Sequence, residues 1–551
     1  MAQANAIDPR TFEIAWHFRQ LVKKFEFGCE MTDEEALSDF LFRQQKLSKT
    51  SPLPDELRCC MRSLLAKVLP EPPAEGDGHY LSEGRLGPGA VFEHASTYLA
   101  KLGVMAQFEQ QMGIPYWCGR APGLCTPSAR LQAVPKDLCR KRTITVEPLA
   151  RCWGQQAVRT TILRSIHSGP LRGSIMDQML SDRNRAPGGV LDWWGRGLKR
   201  AEPRQKIRCR LGALTGKYST IDLSNASDTM RYDDVIAVFP PWLTPLLDEV
   251  RSPTVEVHGT SYPLHCYAGM GNATTFVVET LFFWSMFTAA ANLLHGRFNR
   301  ALGRLDPDPR CGDVTVYGDD IVCRSAVVCN PWVVSLLAQT SIEINWAKSG
   351  VSLKPGFREA CGEVSYHSVS LPSTLRLYGA PGSKEGAARY CDFASRCLAH
   401  PNPAIQLLGF CLCTWQGAPK APLCRLEEPD GTVLCYREPE IQNLWSMLLR
   451  LCVDDKAKQP RTRWNPNLQR FEVQLRCVAA YERTGHLPVV SAQHDEGWYD
   501  YQLSLLASRT QCDLPDQPES GRSVRYPVPH RTTVRRRWVP GVCDPGFNGI
   551  N

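Results

Sequence analysis

In Val314-Thr315-Val316-Tyr317-Gly318-Asp319-Asp320-Ile321-Val322-Cys323, β-branched residues flank a glycine and two adjacent carboxylates. That is the pattern of a β-hairpin with buried strands and an acidic tip. Side-by-side carboxylates repel each other and raise their own pKa values, so a bound divalent cation is their natural compensation. A solvated Asp-Asp turn would read the same way in isolation, because short motifs match by chance. The function of the hairpin therefore depends on what the rest of the chain supplies.

At 551 residues the chain is too long for one ordinary domain and predicts two to four packed subdomains. A hydrophobic fraction of 43% with 22% charged residues is close to the soluble average, which excludes a fibrous or largely disordered protein. Lys+Arg 64 against Asp+Glu 56 leaves a net charge of +8, informative only where it is clustered. The 23 cysteines contain no C-x-x-C pair and are scattered through apolar segments, which predicts reduced, mostly buried thiols in a cytosolic protein. No basic stretch followed by an apolar one opens the chain, so no secretion signal is expected. The longest apolar run, Phe276 to Leu294, is interrupted by Glu279 and predicts a buried core helix in place of a membrane span.

In chain order, Thr11 to Leu69 has helical periodicity, with a capping box at Thr32 and Glu35 opening a segment that buries Leu37, Phe40 and Leu41. A further helix is predicted from about Val91 to Met112. The segment Val134 to Pro148 places Lys136, Arg140, Lys141 and Arg142 just before a β-branched run, a basic loop that takes on phosphate binding only if a phosphorylated substrate is implied elsewhere. Between Arg183 and Arg210 nine cations, among them Arg196, Lys199, Arg200 and Arg204, surround Trp193 and Trp194, a mixture suited to a nucleic-acid backbone and stacked bases. Tyr218 to Ile221 then predicts a short strand ending at Asp222, followed by a Ser/Asn/Asp turn into a helix near Thr229. Gly269 to Phe276 forms a permissive loop at the start of the apolar helix. Strand and turn elements are expected around Ile342–Ser349 and Phe357–Val364, helices from about Ala380 to Arg483, and an extended Pro/Arg-rich arm from Arg522 to Arg537.

A strand-end Asp222 and a hairpin-tip Asp319-Asp320 fit two-metal nucleotidyl transfer, in which two Mg²⁺ ions roughly 3.5–4 Å apart activate a 3′-hydroxyl and stabilise the leaving pyrophosphate. The basic segment Lys136–Arg142 would neutralise a triphosphate. As an ordered set, Ile221 to Asp228, Met270-Gly271-Asn272 with Thr275-Phe276, Tyr317 to Asp320, Lys348-Ser349 and Phe357 to Gly362 resembles the RNA-directed RNA polymerases of positive-strand RNA bacteriophages, the replicase beta subunit. Ala273 and Ala360 depart from the pattern of the better-known members.

The resemblance implies an α+β, right-hand polymerase fold with an antiparallel palm sheet. Residues 1–130 would form an N-terminal helical part of the fingers, 131–217 the fingers with the basic motif, 218–378 the palm, 379–515 a helical thumb and 516–551 a basic arm. Asp222, Asp319 and Asp320 would be catalytic metal ligands for two Mg²⁺, with Mn²⁺ as a substitute. Lys348 would sit near the leaving pyrophosphate as a general acid, Asp228 would read the ribose 2′-hydroxyl, and Asn272 and Thr275 would lie beside the nascent base pair. Lys136, Arg140, Lys141 and Arg142 fall in the nucleotide-binding motif. The implied partners are template and product RNA, nucleoside triphosphates, host elongation factors Tu and Ts and an RNA-binding ribosomal protein, all in the bacterial cytoplasm and without a membrane. A reverse transcriptase is the nearest alternative, disfavoured by Asp228 and by the glycine before the paired aspartates. A non-catalytic RNA-binding protein with a decayed polymerase fold is the other, and it would have no reason to keep Asp222, Asp319 and Asp320 together.

Overall fold

The computed structural model describes residues 7–21, 30–72, 84–114, 121–168, 204–371 and 384–414 with short gaps, and strands between 423 and 543. It divides into two compact units, one of residues 1–9 and 29–373, the other of residues 10–28 and 374–551.

The first unit is built on a helix that is apolar all round. Helix α1 (Pro9–Leu21) belongs, beyond Pro9, to the second unit; in the first, α2 (Asp33–Leu47), α3 (Asp55–Val68), α4 (Tyr98–Met112), α5 (Leu149–Ser168) and α6 (Arg204–Thr215) precede α7 (Thr275–Leu294). In α7 every residue from Val277 to Leu293 is buried, and the helix lies at the centre of one large core with Leu57, Met61 and Leu64 of α3. It is long and apolar enough to cross a membrane, yet 94% of its apolar window is buried inside the protein, the behaviour of a core helix. α2 starts where its capping box requires. The Thr32 N–H donates to Glu35 Oε2 at 2.8 Å, the Glu35 N–H donates to Thr32 Oγ1 at 3.2 Å, and Asp33, Glu34 and Glu35 face the positive helix end. The predicted helix from Val91 begins later, at Tyr98, because Val91 to Ala95 close a hydrogen-bonded turn with His94 at φ +60°.

Two sheets frame the chemistry. Strands β1 (Ser128–Pro135) and β2 (Lys141–Val146) form an antiparallel pair that β4 (Thr254–Val257) and β5 (Thr260–Pro263) extend. The second sheet has β3 (Tyr218–Ile221) beside the hairpin of β6 (Val314–Tyr317) and β7 (Asp320–Arg324), antiparallel throughout, with β7 in the middle. Their β-branched residues are buried as the sequence pattern demands. Strands β8 (Phe357–Ala360), β9 (Glu363–Tyr366) and β10 (Val369–Leu371) make a third, antiparallel sheet. The α+β class with a small antiparallel sheet is borne out.

The second unit departs from the sequence expectation. α8 (Lys384–Leu398) and α9 (Pro403–Thr414) are helical as expected, but strands β11 (Leu423–Arg425), β12 (Leu434–Tyr436), β13 (Thr462–Asn465) and β14 (Arg470–Pro488) occupy the described part of the region read as helical. The reason lies in Phe471-Glu472-Val473-Gln474-Leu475, where apolar and polar residues alternate at the period of a strand; Val473 and Leu475 are buried on one face, Phe471 at the strand's start on that face is exposed, and Glu472 opposite is buried and paired with Arg463. The Pro/Arg-rich arm is extended, as expected, but it is also paired: β15 (Ser523–Pro540) runs antiparallel to β14 along its length. It occupies the sheet edge, the position in a sheet that tolerates prolines such as Pro527, Pro529 and Pro540.

Candidate active site

The hairpin tip is a two-residue loop, Gly318-Asp319, between the paired residues Tyr317 and Asp320. Gly318 has φ +63°, the left-handed value that the first loop position of a tight hairpin demands, and a Cβ there would lie 2.7 Å from Phe276 Cε2. α7 fixes the tip from below. The Gly318 N–H donates to Thr280 Oγ1 at 2.9 Å, and the Phe276 ring packs edge-on against Tyr317 with centroids 4.8 Å apart.

Asp222 arrives from the neighbouring strand, one residue beyond Ile221, which pairs with Ile321. Its backbone and side chain are held by the segment 344–350. Asn345 donates through its N–H to the Asp222 carbonyl at 2.8 Å and through Nδ2 to Oδ2 at 3.0 Å, while Lys348 Nζ lies 3.6 Å from the same Oδ2. The Lys348 assignment therefore places an ammonium beside the first carboxylate.

Electrostatics tie the acidic residues into one group. Burial, followed by the Asp222 charge, raises the Asp319 pKa, and Arg142 and Lys136 oppose the rise. Asp319 is nonetheless solvent-exposed at the tip. Asp320 is pushed up to about 7 by burial and then by Asp319, although the Cys361 N–H donates to its Oδ2 at 3.2 Å. Cys361 reaches that position because it turns the β8–β9 hairpin at φ +51°. Asp222 acts electrostatically on both members of the adjacent Asp319-Asp320 pair, and hard-oxygen donors so placed suit divalent cations, whose charge would relieve the repulsion. Asp222 and Asp319 would be the residues to hold them, with Asp320 beside.

The basic segment sorts itself. Arg142 and Lys136 act on Asp319, whereas Lys141 directs its Nζ to Asp33 of α2 at 2.5 Å. Arg140 is exposed and its carbonyl accepts from the Lys136 N–H at 3.0 Å, closing the loop between β1 and β2. Asn272 is buried. Its Oδ1 accepts from the Thr274 N–H and hydroxyl at 2.8 and 2.7 Å, and its Nδ2 has no hydrogen-bond partner. The Thr275 hydroxyl donates to the Gly269 carbonyl at 3.0 Å and staples the loop on itself. That loop hugs β2 so closely that a Cβ at Gly271 would meet the Thr145 carbonyl oxygen at 2.1 Å. Arg196, Lys199 and Arg200 lie outside the described residues, and Arg204 begins α6.

Two residues escape a sequence reading. Glu279, on α7, is only 8% exposed and has its pKa pushed up to about 8, by burial first and then by Asp319 and Asp228, with Arg142 opposing. An acid inside an otherwise apolar helix was its one sequence signal. Arg43, on α2, places Nη2 3.1 Å from Asp228 Oδ2, across 185 residues of sequence, and nothing local announces it.

In the second unit Glu13, His17 and His400 bring ligand-type atoms within 4.8 Å of one another. There the Asn402 N–H donates to His400 Nδ1 at 3.1 Å, so the proton of the neutral ring is on Nε2, the atom that faces Glu13 at 3.8 Å. That nitrogen is a donor. His17 is held neutral, its pKa down to about 4 through burial and then His400. The trio thus lacks the free lone pair on His400 that a metal would need.

The model of the family described as RNA replicase, beta-chain, matches residues 191–371. The RNA-directed RNA polymerase beta chain of Escherichia phage MS2 is 35% identical over 170 residues, 30% of this chain and 28% of that one. The RNA-directed RNA polymerase subunit beta of Escherichia virus Qbeta is 30% identical over 179 residues, 32% of this chain and 27% of that one. The matches therefore span under a third of these relatives' own length. The solved structure of the RNA-dependent RNA polymerase of a human picorbirnavirus superposes with a TM-score of 0.44 at 13% identity, covering 74% of this chain and 79% of that one, a likeness too loose to carry an argument. Asp222, Asp228, Asn272, Asp319, Asp320 and Lys348 all fall within the matched segment, and the resemblance to the phage replicase beta chains, read from the order of their motifs, holds over residues 191–371.

Proposed function

We propose that this chain is the catalytic subunit of an RNA phage replicase and synthesises RNA on an RNA template. The observation that carries the reading is the convergence of Asp222 with the Asp319-Asp320 tip, where burial and mutual charge leave the carboxyls short of positive partners. Residues 218–378 would be the palm, with fingers before it and a thumb after it. Two Mg²⁺, or Mn²⁺ in their place, would supply there the charge that activates the 3′-hydroxyl and stabilises the departing pyrophosphate.

The chain's own residues do the rest. Asp222 and Asp319 supply the carboxylate oxygens, and the Cys361 N–H orients Asp320. Lys136 and Arg142 receive the triphosphate, since they already oppose the negative charge of Asp319. Lys348, beside Asp222, is positioned to give a proton to the pyrophosphate as it leaves. Asp228 accepts the ribose 2′-hydroxyl, the step that makes the product RNA. Asn272 offers its buried Nδ2 to the nascent pair. The arginine- and tryptophan-rich segment before Arg204 would hold template and product. Host elongation factors Tu and Ts and a ribosomal protein follow from the resemblance alone, and the free thiols of the described cysteines suit the bacterial cytoplasm.

The deciding experiment supplies the purified chain with a primed RNA template, Mg²⁺ and labelled nucleotides, with and without host lysate. Ribonucleotide incorporation is expected. Preference for deoxyribonucleotides would make the enzyme a reverse transcriptase, and RNA binding with no incorporation in either arm would make it a binding protein.

A further inference from the structure

Asp228 is a buried carboxylate, 7% exposed, whose ion-pair partner comes from outside the segment that matches the replicase family. Arg43 Nη2 donates to its Oδ2 at 3.1 Å, and the Ser227 hydroxyl donates to its Oδ1 at 3.3 Å. A carboxylate has about four acceptor sites, so room remains for a ligand hydroxyl. Arg43 is itself held in place. Nη1 donates to Asp39 one helical turn back, and the guanidinium lies 5.9 Å from the Phe40 ring centroid. α2, which carries it, is pinned along its length. Lys141 reaches Asp33 near its start, Gln44 Oε1 accepts from the N–H groups of His265 and Cys266 at 3.0 Å each, and Lys46 pairs with Glu343 at 2.5 Å near its end. A surface arginine making a decorative ion pair would have none of this support, and surface pairs contribute little. A buried pair behaves differently, because removing one partner leaves the other uncompensated.

The groups facing Asp228 explain why a cation is required. Asp39 of α2, Glu279 of α7 and Cys266 all bear on it, and none is positive. Burial raises the Asp228 pKa, and Arg43 is the main opposing influence. Without the guanidinium the balance would move further toward the protonated carboxyl and the carboxylate would lose the contact that orients it, and a protonated oxygen no longer accepts from a 2′-hydroxyl.

We infer that Arg43 is a positioning residue that holds Asp228 as an oriented carboxylate for the ribose of the incoming nucleotide and so sets the choice of ribo- over deoxyribonucleotides. The inference rests on the proposed polymerase function. It gives the N-terminal helix α2 a part in substrate selection.

The test measures kcat and KM for ATP and dATP on one primed RNA template with the full-length chain. Arg43→Ala is expected to lower kcat/KM for ATP by about 10- to 100-fold, the scale of one lost charge-assisted hydrogen bond. The dATP value should move less than about threefold, so that discrimination collapses. Arg43→Lys should restore most of it, and Asp228→Asn should be made no worse by adding Arg43→Ala, because the two act through one contact. Should Arg43→Ala fail to fold, Arg43→Gln, which keeps donors and length but not charge, carries the same comparison. Equal losses for ATP and dATP in a folded variant would overturn the inference and reduce Arg43 to scaffolding. If the unmodified chain incorporates neither nucleotide, the polymerase reading itself has failed, a result distinct from the first.

Discussion

Asp228 and the Asp319-Asp320 tip are both acidic positions whose pKa values burial drives upward, but they are treated oppositely. Asp228 has a guanidinium built in, from a helix that the fold clamps down. Asp319 and Asp320 carry no ion pair with a described cation. They face each other and Asp222, with Arg142 and Lys136 opposing. A resident counter-ion suits a group that must keep one charge and one orientation through every cycle. An unbalanced cluster suits a group whose positive partners arrive with the substrate. The contrast separates selection from chemistry, and substitutions on either side should be distinguishable.

The largest effect belongs to the unbalanced side. Asp222→Asn or Asp319→Asn should lower incorporation of ATP and dATP alike by about 10³-fold or more, since the loss falls on charge stabilisation in the reaction itself. Binding of the template RNA, followed by gel shift, should persist. Asp228→Asn should leave dATP incorporation within a few-fold and lower only the preference for ATP. Should Asp228→Asn prove as damaging as Asp319→Asn for both nucleotides, the division between the two ends of the site is wrong.

A smaller effect is thermodynamic. The carboxyl of Asp320 has its pKa pushed up to about 7, above its unfolded value, so its contribution to stability is present at low pH and is lost as pH rises through about 7. A divalent cation reverses that loss by competing with the proton. At a fixed Mg²⁺ concentration about tenfold above its dissociation constant at pH 8, stabilisation should be about 1.4 kcal/mol, a rise of a few degrees in the unfolding midpoint of the first unit. At pH 6, where the proton on Asp320 weakens the cation about tenfold, the same concentration should stabilise by only about 0.4 kcal/mol. A shift independent of pH would mean that the cation binds elsewhere.

How much of this contrast can be read in the chain itself differs between the two ends. The hairpin, its register, the strand ending at Asp222 and the core helix beneath them follow from local patterns, namely β-branched runs around Gly318 and an apolar stretch bounded by Thr275. Each of these depends on residues close in sequence. The Arg43–Asp228 pair has no such signature, because its partners are separated by 185 residues and only tertiary packing joins them. The same limit explains the second unit. β14 and β15 pair with each other although far apart in sequence, and a Pro/Arg-rich arm reveals its strand only once its partner is known. The alternation in Phe471 to Leu475 covers too short a window to outweigh the helix-forming residues around it.

Glu279 lies between the two ends and provides the finest probe. It is the acid on α7 that feels both Asp319 and Asp228, and its pKa is pushed up to about 8. A carboxyl whose folded pKa is raised contributes stability below its unfolded value and loses it as pH rises through the folded one. In chelator-treated protein, the native state should therefore lose about 1 kcal/mol through this group between pH 7 and pH 9. Glu279→Gln keeps the shape of the protonated acid and cannot ionise, so its denaturant midpoint should match that of the unmodified protein near pH 4, below the unfolded pKa, and exceed it increasingly up to pH 9. Parallel pH profiles for the two proteins would place the burden of repulsion on Asp319 and Asp320 alone. A divergence that disappears on adding Mg²⁺ would show that Glu279 senses the unbalanced end of the site, since a cation at Asp319 removes the foremost charge acting on it.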